Sequence, residues 1–130
     1  MLFQINPSDA VPIYHQLVRQ VRDAIAVGRL KSGEKLPSQR QLALELVINH
    51  LTVKKAYEIL ESEGLIYTNR GRGTFVAEVG SRKELQKQGI SELGNRMGEN
   101  AATARILGMK KGDFVQLARS RWNKGETEGE

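Results

Sequence analysis

Leu36–Val76 reads LPSQRQLALELVINHLTVKKAYEILESEGLIYTNRGRGTFV. In its middle, Val53, Ala56, Tyr57 and Leu60 fall at i, i+3, i+4 and i+7, the stripe of a helix with one buried face. His50, Lys54, Lys55 and Glu58 lie off that stripe. Asn49 is the expected N-cap, since its side-chain oxygen can accept from an unpaired backbone N–H. Upstream, Ser38-Gln39-Arg40-Gln41 fits a capping box, with Ser38 reaching forward and Gln41 reaching back. Pro37 discourages helix before it. Leu42, Ala43 and Leu46 supply the inward face of this helix, and Arg40 lies off it in the first turn. Downstream, Leu65–Thr68 and Thr74–Val76 are rich in β-branched and aromatic residues. Between them stands Asn69-Arg70-Gly71-Arg72-Gly73, whose glycines permit positive φ.

Helix, turn, helix and basic hairpin, in that order, form a device for reading double-stranded DNA. The start of the second helix offers N–H groups and a dipole that favour phosphate, and its first side chains can reach base edges. Arg40 is placed to clamp a phosphate or a guanine edge; its alternative use is an ion pair with Glu45 or Glu63. Arg70 and Arg72 sit at the hairpin tip, and no acidic residue occurs between Gly64 and Ala77. Arginine suits phosphate forks and narrow minor grooves. Two other readings use the same residues: a winged helix that binds proteins, and a DNA-binding protein without sequence preference.

Residues 12 to 76 resemble the winged-helix DNA-binding domain of the GntR family of bacterial regulators. The resemblance rests on Pro12-Ile13-Tyr14, Gln16-Leu17, Ile25, Gly28, Leu30 and Gly33. It continues through Leu36-Pro37-Ser38, Arg40, Leu42-Ala43, Thr52-Val53, Ala56-Tyr57, Leu60, Glu63-Gly64-Leu65 and Gly71–Val76. It implies DNA contacts at Arg40, at His50, Leu51, Thr52 and Lys54, and along the wing at Arg70, Gly71, Arg72 and Gly73. Ser38, Asn49 and Lys55 complete the candidate set. Three positions depart from the family's pattern. Val47 stands where glycine is common, Asn49-His50 where a serine-arginine pair is frequent, and Lys54 where arginine is usual. A neutral histidine cannot form the cationic bidentate fork of arginine. Asparagine at the cap is similar to the YtrA-like subfamily.

The chain has 130 residues and a formal net charge of +5, which suits a polyanionic partner. That length fits one domain with a small appendage; the expected division is 1–78 and 79–130. There are no cysteines, so disulfide and thiol chemistry is excluded. No long apolar run and no signal-peptide pattern occurs, so a cytoplasmic location off the membrane is expected. With two histidines and no ligand spacing, no metal or cofactor is expected. No catalytic set, P-loop or dinucleotide fingerprint can be assembled, so the chain is not read as an enzyme. From Val11 to Val27, apolar residues at Ile13, Tyr14, Leu17, Val18, Val21, Ala24 and Ile25 trace a helical face, which Gly28 ends. Lys35-Leu36 is a candidate third strand against the hairpin, and residues 1–10 read as a short arm without evident chemistry.

The fold class expected is mainly α with a small antiparallel β wing. After residue 82, Leu85, Ile90, Leu93, Met97, Ala101, Ala104 and Leu107 make a helical stripe, interrupted by Gly89, Gly94 and Gly98. A helix that survives these glycines is expected, ended by Gly108. A final helix carries Phe114, Val115, Leu117, Ala118, Arg121 and Trp122, and the tail 125–130 is expected to fray. Two isolated helices cannot bury such a stripe alone. A homodimer through Leu93, Met97, Leu107, Phe114, Leu117 and Trp122 is therefore expected. The resemblance points the same way: YtrA-like members carry a short two-helix dimer module, act mostly as repressors, and often control neighbouring transporter operons. A small-molecule effector would sit at the dimer interface or between the two domains, since fifty residues enclose little space.

Overall fold

The computed structural model describes residues 3–128, with side chains through residue 126. Five helices and three strands follow one another: α1 (Ile13–Ala26), β1 (Lys35–Leu36), α2 (Gln39–Leu46), α3 (His50–Ser62), β2 (Ile66–Asn69), β3 (Gly73–Val76), α4 (Arg82–Ile106) and α5 (Lys111–Glu128). The strands form one antiparallel sheet in the order β1-β3-β2. Lys35-Leu36 does pair with the hairpin, as its sequence suggested. Both hairpin strands run one residue further toward the tip than expected, ending on an Asn69–Gly73 pair.

The chain divides into two compact units, Met1–Gly89 and Ile90–Glu130. The first takes in more chain than 1–78, because Val79 and Leu85 pack against its core. That core joins Leu17, Val21 and Ile25 of α1 to Leu42 of α2, Val53 and Leu60 of α3, and Val76 of the sheet. It also includes Phe3, so residues 3–10 are more than an unattached arm. Gln16 and Gln20 of α1 explain how the arm is held. The Gln16 side chain donates to the carbonyls of Asn6 and Val11 and accepts from Asn6 N–H, each at 2.9 Å. Gln20 accepts from Gln4 N–H at 2.9 Å and donates to its carbonyl at 2.6 Å. These amides supply the partners that an extended backbone must find when it packs on a helix.

α4 is unbroken through its three glycines. Gly89 has a spatial reason: a β-carbon there would lie 2.8 Å from an Asp23 carboxylate oxygen of α1. Gly94 and Gly98 have no neighbour within 4 Å of that position. Ser81 opens α4 by accepting from Glu84 N–H at 3.2 Å. In the second unit, α4 and α5 turn at Gly108, which takes a left-handed φ of 80°. The expected fraying of 125–130 is corrected: α5 runs to Glu128, and Trp122 Nε1 donates to Glu126 Oε1 at 2.8 Å one turn on. Residues 129 and 130 lie outside the described part. Among the described residues, no helix is long and apolar enough to cross a membrane.

Candidate nucleic-acid interface

Two caps and a turn set the geometry of α2 and α3. Ser38 Oγ accepts from Gln41 N–H at 3.1 Å, and Gln41 Oε1 accepts from Ser38 N–H at 3.1 Å. Asn49 Oδ1 accepts from Leu51 N–H at 2.8 Å. The oxygens of Ser38 and Asn49 are thus engaged by the backbone. Between the helices, Val47 stands at φ 55° and ψ 51°, the one described non-glycine residue at positive φ. Ile48 N–H bonds the Ala43 carbonyl at 3.0 Å, and Val47 N–H bonds the Leu44 carbonyl at 3.3 Å. This is the Schellman closure, with valine where glycine normally sits.

A buried phenol fixes the two helices together. The Tyr57 hydroxyl of α3 donates to the Pro37 carbonyl, just ahead of α2, at 2.6 Å. Burial pushes this phenol well above its ordinary range, and the Glu45 charge adds to the shift, so it remains a donor. Behind α3, Glu63 lies 3.9 Å from the Arg22 guanidinium of α1. Arg40 has no ion-pair partner among the described residues.

On this frame Arg40, His50, Leu51 and Lys54 are exposed, and Thr52 is half-buried. Arg40 of α2 and His50 of α3 line one hollow of about 330 Å³, with Ala43, Leu44 and Ile48. The structure therefore brings the first turn of α2 beside the start of α3. Lys55 is engaged elsewhere, its ammonium 4.0 Å above the Tyr14 ring centroid. At the wing, Arg70, Gly71 and Arg72 are exposed, and Gly73 is half-buried. The turn closes with Arg72 N–H on the Asn69 carbonyl at 3.0 Å, and Gly71 takes φ 81°. Lys35 was not among the site residues that the sequence singled out, and the structure places it beside the wing. Its side chain runs past Gly73, where a β-carbon would lie 2.8 Å from Lys35 Cε. The signal was present, since pairing Lys35-Leu36 with the hairpin places this lysine at the wing. Leu44, exposed in the hollow beside Arg40, was also not singled out.

In the second unit Leu93, Met97, Leu107, Leu117 and Trp122 are exposed and Phe114 is half-buried. Met97, Leu107, Phe114 and Leu117 border a hollow of about 360 Å³ between α4 and α5. Among the described residues, no cluster of His, Cys, Asp or Glu has the makings of a metal site.

A capped helix-turn-helix with a basic three-residue wing tip defines a winged-helix protein of the nucleic-acid-binding kind. Residues 13–76 match the bacterial regulatory proteins of the gntR family. The chain is 47% identical over 77 residues to the transcriptional repressor YtrA of Bacillus subtilis, covering 59% of each chain. Among solved structures, YtrA from Sulfolobus acidocaldarius, a GntR-family transcription factor, is 38% identical with a TM-score of 0.58, over 72% of this chain and 99% of that one. The AraR DNA-binding domain in complex with operator ORX1 is 33% identical with a TM-score of 0.50, over 58% and 93%. The chain belongs to the GntR family of bacterial regulatory proteins, and the relatives named above are transcriptional regulators. It spans little more than half the length of the curated YtrA repressor that it matches.

Proposed function

We propose that this chain is a cytoplasmic transcriptional repressor that binds a roughly palindromic operator as a homodimer. The observation that carries the reading is Arg40. It stands exposed in a capped first turn, beside His50 at the start of α3, with no ion-pair partner among the described residues. That placement suits a phosphate or guanine contact from α2 while α3 enters the major groove. Lys54 extends the cationic character along α3, and Arg70 and Arg72 supply it at the wing. The likeness to the YtrA repressor supports repression as the mode.

The homodimer is supported by the apolar surface of α4 and α5. Leu93, Met97, Leu107, Leu117 and Trp122 stay open in the single chain. Each forgoes up to roughly 1.5–3 kcal/mol of burial. An isologous contact covers these faces and the hollow between them in one step. It also holds two wing domains at the fixed separation that half-sites about 34 Å apart require. A small-molecule effector would act at this same interface.

A gel-shift assay on the protein's own promoter region, with a salt series, tests the DNA reading. Arg40→Ala is expected to cost about 1–3 kcal/mol at one base pair if it reads guanine. If it holds phosphate alone, it should lower the salt slope by roughly one. Unchanged affinity removes Arg40 from the interface. Sedimentation of the full chain at micromolar concentration tests the dimer, and a monomer there refutes it.

A further inference from the structure

The hollow beside Arg40 has a floor that phosphate binding does not call for. Ala43, Leu44 and Ile48 line it together with Arg40 and His50. Leu44 is 73% exposed. The other exposed positions of α2 are Arg40, Gln41 and Glu45, all polar. An apolar wall thus stands in the open, in one hollow with a guanidinium and an imidazole, beside the start of the helix read as entering the groove. Among the groups that base pairs present in the major groove, the thymine 5-methyl is the apolar one. It lies on a base edge flanked by anionic backbone. A surface that combines an apolar wall with a cation at its border is complementary to that pairing of groups.

Resting on the DNA-binding reading above, we propose that this hollow seats the 5-methyl group of a thymine in each half-site. Leu44 and Ile48 form the contact with the methyl group. Arg40 and His50 hold the adjoining polar edge or phosphate. Leu44 is then a specificity-determining residue that neither the caps nor the charges of the domain reveal. Its contribution is sequence discrimination by burial of one methyl group, alongside any hydrogen-bonded reading by Arg40.

The test uses the full chain and duplexes selected by it from a random library. Each thymine is replaced in turn by deoxyuracil, which removes the methyl group and nothing else, and affinity is read by fluorescence anisotropy at fixed salt. The wild-type chain is expected to lose about fourfold at one thymine per half-site, the worth of one buried methyl. In Leu44→Ala that loss should fall well below fourfold, since only Ile48 then remains against the methyl group. Arg72→Ala should weaken binding to both and keep the fourfold ratio. Leu44→Gln provides a second exposed variant, and melting curves verify that each variant is folded. Equal affinity across all deoxyuracil duplexes overturns the proposal, and so does a fourfold ratio that persists in Leu44→Ala. Recovery of no duplex at all overturns the DNA-binding reading itself, and the methyl contact with it. Wild-type affinity that falls with added apolar peptide but is indifferent to thymine methyls assigns the hollow to a protein partner and likewise overturns the proposal.

Discussion

Val47→Gly is expected to stabilise the wing domain. The valine is held at φ 55° and ψ 51° by the two hydrogen bonds that close α2. A left-handed conformation costs an L-residue roughly 1–2 kcal/mol, and branching at Cβ places valine toward the upper end. Its side chain is 88% exposed, so removing it sacrifices almost no burial. Glycine returns about 0.5–1 kcal/mol of this gain through its freer unfolded chain. The balance is a gain of about 1 kcal/mol. For a domain of this size that corresponds to a rise of about 4–8 °C in Tm. Circular dichroism melts and urea titration of the full chain provide the measurement, with Val47→Ala as the control. Alanine keeps the left-handed penalty and loses the branching, so it should fall between valine and glycine. A Val47→Gly protein no more stable than wild type would refute the reasoning, because the strain would then be absent or offset by contacts of the exposed side chain.

Replacing both Arg70 and Arg72 by alanine should weaken operator binding and lower the salt slope by up to roughly two, with Tm nearly unchanged; a large fall in Tm would make these arginines structural. Tyr57→Phe should cost about 1 kcal/mol through the lost bond to the Pro37 carbonyl. The raised Tyr57 pKa means its stabilising effect is complete below the ordinary phenol value near 10 and declines as pH rises beyond it, so the phenylalanine variant should show a shallower alkaline loss in pH-dependent melts. Gly89→Ala should stabilise the chain less than the same change at Gly94, since its β-carbon would meet an Asp23 carboxylate oxygen at 2.8 Å and that side chain must shift. Gly94→Ala, with open space around it, should gain up to roughly 1 kcal/mol of helix propensity, and equal Tm changes for the two would contradict the packing reason for Gly89.

The parts of this fold set by local physics were legible in the sequence. SQRQ names its capping box, Asn49 its cap, and the stripe Val53-Ala56-Tyr57-Leu60 its buried face, because each depends on residues within one or two turns. The hairpin was legible to within a residue at each strand end for the same reason. The arm was not, because Phe3 is buried in a core assembled from residues far along the chain, and the arm's backbone partners are the amides of Gln16 and Gln20. Neither amide differs in sequence from a surface glutamine. Lys55 reads as one of several cations off the α3 stripe, and only the approach of α1 gives its ammonium the Tyr14 ring. Glu63 was as good a partner for Arg40 as for Arg22 until the crossing of α1 and α3 chose between them.

The division of labour within the candidate interface follows from the same hydrogen bonds. Ser38 and Asn49 entered as DNA contacts by their place at helix starts, yet their oxygens close the first turns of α2 and α3. A cap is worth roughly 1 kcal/mol to the fold, so substitution at these two positions lowers stability whatever it does to DNA contact. Arg40, Leu44, Lys54 and the wing arginines carry no comparable duty. Arg40 and Lys54 lie outside the buried stripes, Leu44 faces open space, and Arg70 and Arg72 project from a turn that Asn69 and Gly71 shape. Their substitution changes what the surface can bind without disturbing the frame that presents it. The caps, Tyr57 and the strained turn at Val47 fix where α3 begins, and the exposed side chains are free to vary with the DNA sequence they meet. On the proposed reading, base preference rests on a few unburied residues carried by this frame, and His50 stands where the family's arginine is frequent with the cap at Asn49 intact.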